Sequence, residues 1–130
     1  MPKVRQLPAL SDAQMEIMNV VWEQQECSVA DIWKVLAERR GVSRNTAHTV
    51  VVRLKEKGWL SHRVANGGFL YKATVSREET QHRSVQKMIE TVFDGSAEGL
   101  VLALLNGSTL SKDEAARIRQ LIARAKGRNA

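Results

Sequence analysis

Between Ser43 and Leu60 the chain reads SRNTAHTVVVRLKEKGWL. Arg44, Asn45, Thr46, His48 and Thr49 crowd hydrogen-bonding side chains into the start of an otherwise amphipathic helix. These residue types suit base edges in a DNA major groove. Asn can bond the edge of adenine, Arg that of guanine, and a Thr methyl can touch the methyl of thymine. Arg53 and Lys55, further along, are suited to phosphates, which position a protein on the duplex without reading its sequence. A merely solvated face is the alternative, and the distribution of charge argues against it. From Arg39 to Lys72 there are eight basic residues and a single acid, Glu56, in a chain whose net charge is +6. The excess positive charge therefore lies in this segment, where a polyanionic partner would meet it.

Other chemistries find little support. His48, His62 and His82 fall in three different elements with no ligand spacing between them, so no metal site is expected. Cys27 is the only cysteine, which excludes an intramolecular disulfide and a cysteine-rich metal centre; it reads as a small buried side chain. No Ser-His-Asp constellation, phosphate-cradling glycine loop or pair of carboxylates in a cleft is visible, so neither an enzyme nor a cofactor is expected. Trp22, Trp33 and Trp59 flank helix stripes and are expected in the core rather than as a base-stacking platform. The opening MPKVRQLPAL lacks the long apolar run of a signal peptide, and no segment approaches the ~18 apolar residues of a membrane span. A cytoplasmic protein is expected.

The elements that would position the polar helix can be placed from caps and periodicity. Ser11-Asp12-Ala13-Gln14 has the spacing of a capping box, and Met15, Met18, Val21 and Trp22 follow at helical intervals, predicting a first helix to about Gln25. Ser28 opens a second helix with Val29, Ile32, Trp33 and Leu36 inward, and Gly41 stops it. Ser43 caps the third, whose stripe is Ala47, Val50, Val51 and Leu54; Gly58 ends it. Two helices joined by a short glycine-containing turn, the second carrying Arg44, Asn45, His48, Thr49, Val52, Arg53 and Lys55 outward, match a helix-turn-helix. Leu60–Ala65 and Phe69–Thr74 are then β-prone, and Asn66-Gly67-Gly68 between them supplies the positive φ angles of a hairpin turn. Such a wing would bring Arg63, Asn66, Gly67, Gly68 and Lys72 to the sugar-phosphate backbone, and Lys3 and Arg5 form a basic arm that could add a contact.

After Ser76 the chain is helical again, with stripes through Val85, Met88, Ile89, Val92 and Phe93, then Leu100 and Leu104, then Ile118, Leu121 and Ile122. The expected architecture is mainly α with a β-hairpin wing: a winged helix-turn-helix over residues 1–75, then a three-helix dimerisation region over 76–130. Three helices with narrow stripes rarely hold a core alone, so two copies are expected to bury these stripes against each other as a homodimer.

In this order and spacing the segments LSDAQMEIMNVVW, SRNTAHTVVVRLKEKGWL, YKATVSREE and FDGSAEGLVLALL resemble the penicillinase-repressor family (BlaI/MecI type, with copper-responsive CopY-type members) along nearly the whole chain. Thr46, Thr49, Arg53, Leu54, Lys57 and Gly58 occupy the places the family's recognition helix leads one to expect. The resemblance implies a homodimeric winged-helix repressor on a palindromic operator of the TACA…TGTA type, controlling β-lactam-resistance or stress genes. It also implies release through a membrane sensor-protease that triggers cleavage in the C-terminal region. Departures are visible. The family's Trp-Ser-Pro-Lys-Thr is replaced here by Val42-Ser43-Arg44-Asn45-Thr46, which puts a different operator preference in view. The family's scissile Asn-Phe pair aligns with Ala103-Leu104, and the C-terminal cysteine pairs of copper-responsive members are missing.

The sequence thus points to a DNA-binding repressor with double-stranded operator DNA as its partner. Two rivals stand beside it: a winged-helix module that binds protein instead, and a repressor answering a small molecule held between its C-terminal helices.

Overall fold

A computed structural model of the chain describes residues 7–107 and 110–129; the arm residues Lys3 and Arg5 lie outside the described residues. The elements run α1 (Asp12–Gln24), α2 (Val29–Arg40), α3 (Arg44–Glu56), β1 (Leu60–Ala65), β2 (Gly68–Ala73), α4 (Arg77–Thr91), α5 (Ala97–Asn106) and α6 (Lys112–Asn129). They divide into two compact units, the first extending to Gln81 and the second starting at His82, so the division falls inside α4.

In the first unit the serines set the helix starts. Ser11 Oγ accepts from the Gln14 amide while Gln14 Oε1 accepts from that of Ser11, a closed capping box. Ser28 and Asp31 repeat the arrangement on α2 with the shorter acid in the reciprocal role. The Ser28 contacts hold the Asp31 carboxyl below its ordinary range, its backbone amide contributing most. Gly41 ends α2 in the left-handed region at φ 64°. Gly58, at φ 95°, turns the chain out of α3 so closely past Leu7 that an added Cβ would stand 3.0 Å from its Cδ2.

Ile17, Met18 and Val21 of α1, Ile32 and Leu36 of α2, and Ala47, Val51 and Leu54 of α3 meet in one core, closed by Cys27, Trp59, Leu60 and Tyr71. The three indoles sit at junctions. Trp22 Nε1 donates to the Val75 carbonyl beyond the wing, Trp33 Nε1 to Val42 in the turn before α3, and Trp59 Nε1 to Pro8 ahead of α1. As expected they are core-facing, each spending its one donor on a backbone carbonyl. Cys27 is buried as expected, and desolvation, followed by the nearby Asp31 and Glu26, pushes its thiol to about 11.

β1 and β2 pair antiparallel, Leu60 opposite Ala73 through Ala65 opposite Gly68. The hairpin therefore differs from the expected one by a residue. β2 begins at Gly68, not Phe69, because Asn66 and Gly67 alone make the turn, at φ 50° and 78°. Positive φ at both central residues is the two-residue turn whose twist matches a hairpin. Cys27 exchanges backbone hydrogen bonds with Tyr71 (Cys27 N–H to O 3.0 Å, Tyr71 N–H to O 2.7 Å), which fastens β2 to the α1–α2 connection. Arg77 begins α4 by donating to the Asn19 carbonyl and lies 5.8 Å from the Trp22 ring centre.

The second unit has a different character. Gly95 N–H donates to the Ile89 carbonyl six residues back at 2.7 Å, and Asp94 and Gly95 at positive φ turn the chain out of α4. Ser96 then caps α5 through the Gly99 amide. No residue of α5 is buried. Val85, Met88, Val92, Leu104, Leu121 and Ile122 are exposed, and Ile89, Phe93, Leu100 and Ile118 are half-buried.

Candidate nucleic-acid interface

α3 presents two faces with different work. Ala47, Val51 and Leu54 are fully buried. Between them Arg44, Asn45, Thr46, His48, Thr49, Arg53 and Lys55 are all exposed, while Val52, expected outward, lies half-buried on the flank with Val50. The cap organises the first turn. Ser43 Oγ accepts from the Thr46 amide and donates to Thr46 Oγ1 at 3.0 Å. Thr49 Oγ1 donates back to the Asn45 carbonyl at 3.0 Å, which fixes its rotamer and leaves its methyl and oxygen lone pairs to face outward. Among the described residues Arg44, Arg53 and Lys55 make no ion pair. Long cationic side chains left without an internal partner are what a polyanion can recruit at little cost.

The basic segment is not uniform. Arg40 pairs with Glu16 at 2.8 Å. Lys57 Nζ donates to Gln14 Oε1, the same oxygen that closes the α1 capping box. Arg63 makes a two-pronged pair with Glu26, Nε to Oε2 and Nη2 to Oε1, both 2.8 Å. Its guanidinium, chiefly by hydrogen bond and to a lesser degree by charge, holds the Glu26 carboxyl below the ordinary range against the opposing effect of desolvation. Arg63, expected at the phosphates, is thus engaged in fastening the wing to the α1–α2 connection. The cations of the segment that make no ion pair or side-chain hydrogen bond among the described residues are Arg39, Arg44, Arg53, Lys55 and Lys72.

A cleft of about 440 Å³ lies between α3 and the wing, lined by Arg44 and His48 on one side, by Ala65, Asn66 and Gly68 to Tyr71 on the other, and by Ser28, Val29 and Ala30 at the start of α2. The structure therefore brings α3 and the wing turn, with Asn66, to one groove. Gly67 stands at the exposed tip, and Lys72 is exposed on β2 beyond the cleft. Two participants went unnoticed in the sequence. Ser28 to Ala30 show there only as a helix start, and Glu26 as one acid among many; nothing local signals that either meets the wing. His48, His62 and His82 remain in separate elements, and no group of three metal-ligating side chains assembles among the described residues. No helix among them is long and apolar enough to cross a membrane.

The family model for penicillinase repressors matches residues 10–124, nearly the whole chain. The chain belongs to the penicillinase repressor family. Its membership makes it a DNA-binding transcriptional repressor and not an enzyme, as the sequence led one to expect. It is 27% identical over 113 residues to the methicillin resistance regulatory protein MecI of Mammaliicoccus sciuri, covering 87% of this chain and 92% of that one. To the penicillinase repressor of Bacillus licheniformis it is 25% identical over 125 residues, 96% of this chain and 98% of the relative. Among solved structures it is similar to the DNA-binding domain of the repressor BlaI (28% identity, TM-score 0.52, 58% of this chain and 93% of that one). It is also similar to the monomeric form of Bacillus licheniformis BlaI in complex with the blaP half-operator (28%, 0.51, 57% and 90%). A longer match, to E. coli MarR in its oxidized form, covers 89% of this chain and 75% of that one at 18% identity and TM-score 0.51, a likeness of fold alone.

Proposed function

We propose that this repressor binds a palindromic operator as a homodimer, α3 of each copy entering a major groove and the wing resting on the backbone beside it. Arg44, Asn45, Thr46, His48 and Thr49 take the base edges. Arg53 and Lys55 follow the phosphates, with Lys72, Asn66 and Gly67 of the wing at the flank. The observation that carries this reading is the outer face of α3: exposed hydrogen-bonding side chains, organised at the start by the Ser43 cap, beside cations that make no ion pair among the described residues. The half-operator complex of BlaI supports it from outside.

Dimerisation is supported by the second unit, whose apolar stripes on α4, α5 and α6 stay open within one chain. Two-fold symmetry in the protein would then be mirrored in the operator. The relatives named for methicillin resistance and penicillinase repression favour β-lactam-resistance genes as targets. Control by a membrane sensor-protease would act on this same unit; Ala103 and Leu104 lie within the α5 helix, where cleavage requires that helix to open.

Selection of duplexes from a pool of random-sequence DNA tests the proposal. The expected product is an inverted repeat, bound with an affinity that falls steeply as salt is raised. Recovery of no enriched motif would overturn it, and a single unrepeated half-site would remove the dimer from it.

A further inference from the structure

The first unit leaves two large apolar side chains exposed among its described residues, Val64 at 71% and Phe69 at 48%, and both are on the wing. They are direct cross-strand partners, so they project from one face of the hairpin, the face that also carries His62 with Tyr71 and Leu60 with Ala73. At its base this face closes the core, with Leu60 and Tyr71 each 3% exposed. At its tip it runs past the core, where Val64 stands mostly open and Phe69 about half so.

The Phe69 ring is also held. His62 packs against it with ring centres 4.2 Å apart and planes tilted by 39°, and Tyr71 meets it edge-on at 6.3 Å. His62 Nδ1 is buried without a hydrogen-bond partner among the described residues, so what the imidazole offers here is its ring contact with Phe69. A fixed aromatic ring loses little conformational freedom when it is covered. Phe69 lines the same cleft as Arg44 and His48, which makes the aromatic member of the pair continuous with the outer face of α3. The charge around it favours nucleic acid over another protein surface: the wing and its turn carry no acid of their own between Glu56 and Glu78, the nearby Glu26 is taken up by Arg63, and Asp31 by the Ser28 cap.

We infer that Val64 and Phe69 form an apolar contact with the deoxyribose edges of the minor groove flanking the half-site, a contact that senses groove shape and adds affinity without neutralising a phosphate. This rests on the functional reading above. Minor-groove proteins use apolar side chains against sugars and base steps in this way, and the energy of the contact depends on groove width, hence on sequence outside the bases that α3 reads.

The test uses the full chain and a duplex selected from the random pool, with flanking base pairs present or trimmed. Phe69→Ala should weaken binding to the long duplex roughly tenfold and leave the slope of log Kd against log salt unchanged, because no counterion is released at an apolar contact. Arg53→Ala should instead lower that slope. Trimming the flanks should weaken the unaltered protein and leave Phe69→Ala almost unaffected. Val64→Thr, an isosteric change at an exposed site, should give a smaller loss with the same pattern, and Phe69→Leu should recover part of the affinity; circular dichroism confirms that each variant is folded. Unaltered binding by both Phe69→Ala and Val64→Thr, or equal sensitivity of Phe69→Ala and the parent to trimming, would overturn the inference and leave the functional reading in place. Failure of the unaltered protein to select any sequence would overturn both.

Discussion

The two units spend their apolar residues differently. The first buries its aliphatic residues in a closed core, and what it exposes near α3 is mostly polar and cationic. The second has Val85, Met88, Val92, Leu104, Leu121 and Ile122 open to solvent in a single chain. Burying a side chain of this size is worth roughly 1.5–3 kcal/mol, and contiguous exposed apolar surface marks a missing partner. The contrast teaches that one unit carries its stability within itself while the other leaves apolar surface that the proposed second copy would cover. It also suits the proposal that the reading residues sit on the first: geometry that must match base edges to within a fraction of an ångström belongs on a rigid frame.

The sharpest way to break this contrast is Leu121→Asp. In a symmetric dimer the change is made twice, so it should cost roughly 3–6 kcal/mol of association. Sedimentation should show a monomer at concentrations where the parent is dimeric, and a parent that is itself monomeric would end the distinction between the units. Leu54→Ala probes the other side. It empties a fully buried site in the first core and should destabilise by about 2–5 kcal/mol, read from chemical denaturation, without changing the association constant. Arg53→Ala should leave stability and assembly alone and weaken operator binding by ~1–3 kcal/mol; a titration at several salt concentrations measures it.

Two smaller effects concern how the first unit is closed. The folded-state carboxyl of Glu26 titrates below its ordinary 4.5 because of Arg63. That pairing therefore stabilises the fold above the unfolded value and is lost as pH falls through the lowered one. Glu26→Gln should lower the thermal midpoint slightly at neutral pH, and the difference from the parent should vanish in acid. Cys27, fully buried with its thiol raised to about 11, should resist iodoacetamide in the native protein at neutral pH and react only once the chain is unfolded.

How far the sequence could be read depended on the range of each interaction. Ser11, Ser28 and Ser43 act within their own first turns, and Gly41 and Gly58 impose local backbone angles, so the helices of the first unit emerge from spacing alone. The wing strands were legible too, with β2 displaced by one residue because either glycine after Asn66 could have belonged to the turn. Which cations are free was not legible. Lys57 finds Gln14 across 43 residues and Arg63 finds Glu26 across 37, and no local pattern foretells such pairs. The same holds for the cleft, whose walls come from three stretches of chain. The outer face of α3 was readable because helical periodicity, once the inward stripe is known, leaves those residues nowhere else to point.

The indoles give the molecule a consequence of a practical kind. Each tryptophan donates to a carbonyl at a different junction: Trp59 ahead of α1, Trp33 at the turn into α3, and Trp22 where the chain leaves the wing. Because the emission of an indole depends on its surroundings, the chain carries three optical reporters, one at each joint. Variants that retain a single tryptophan would let an observer follow, by colour alone, which joint yields first when DNA binds or the fold is strained.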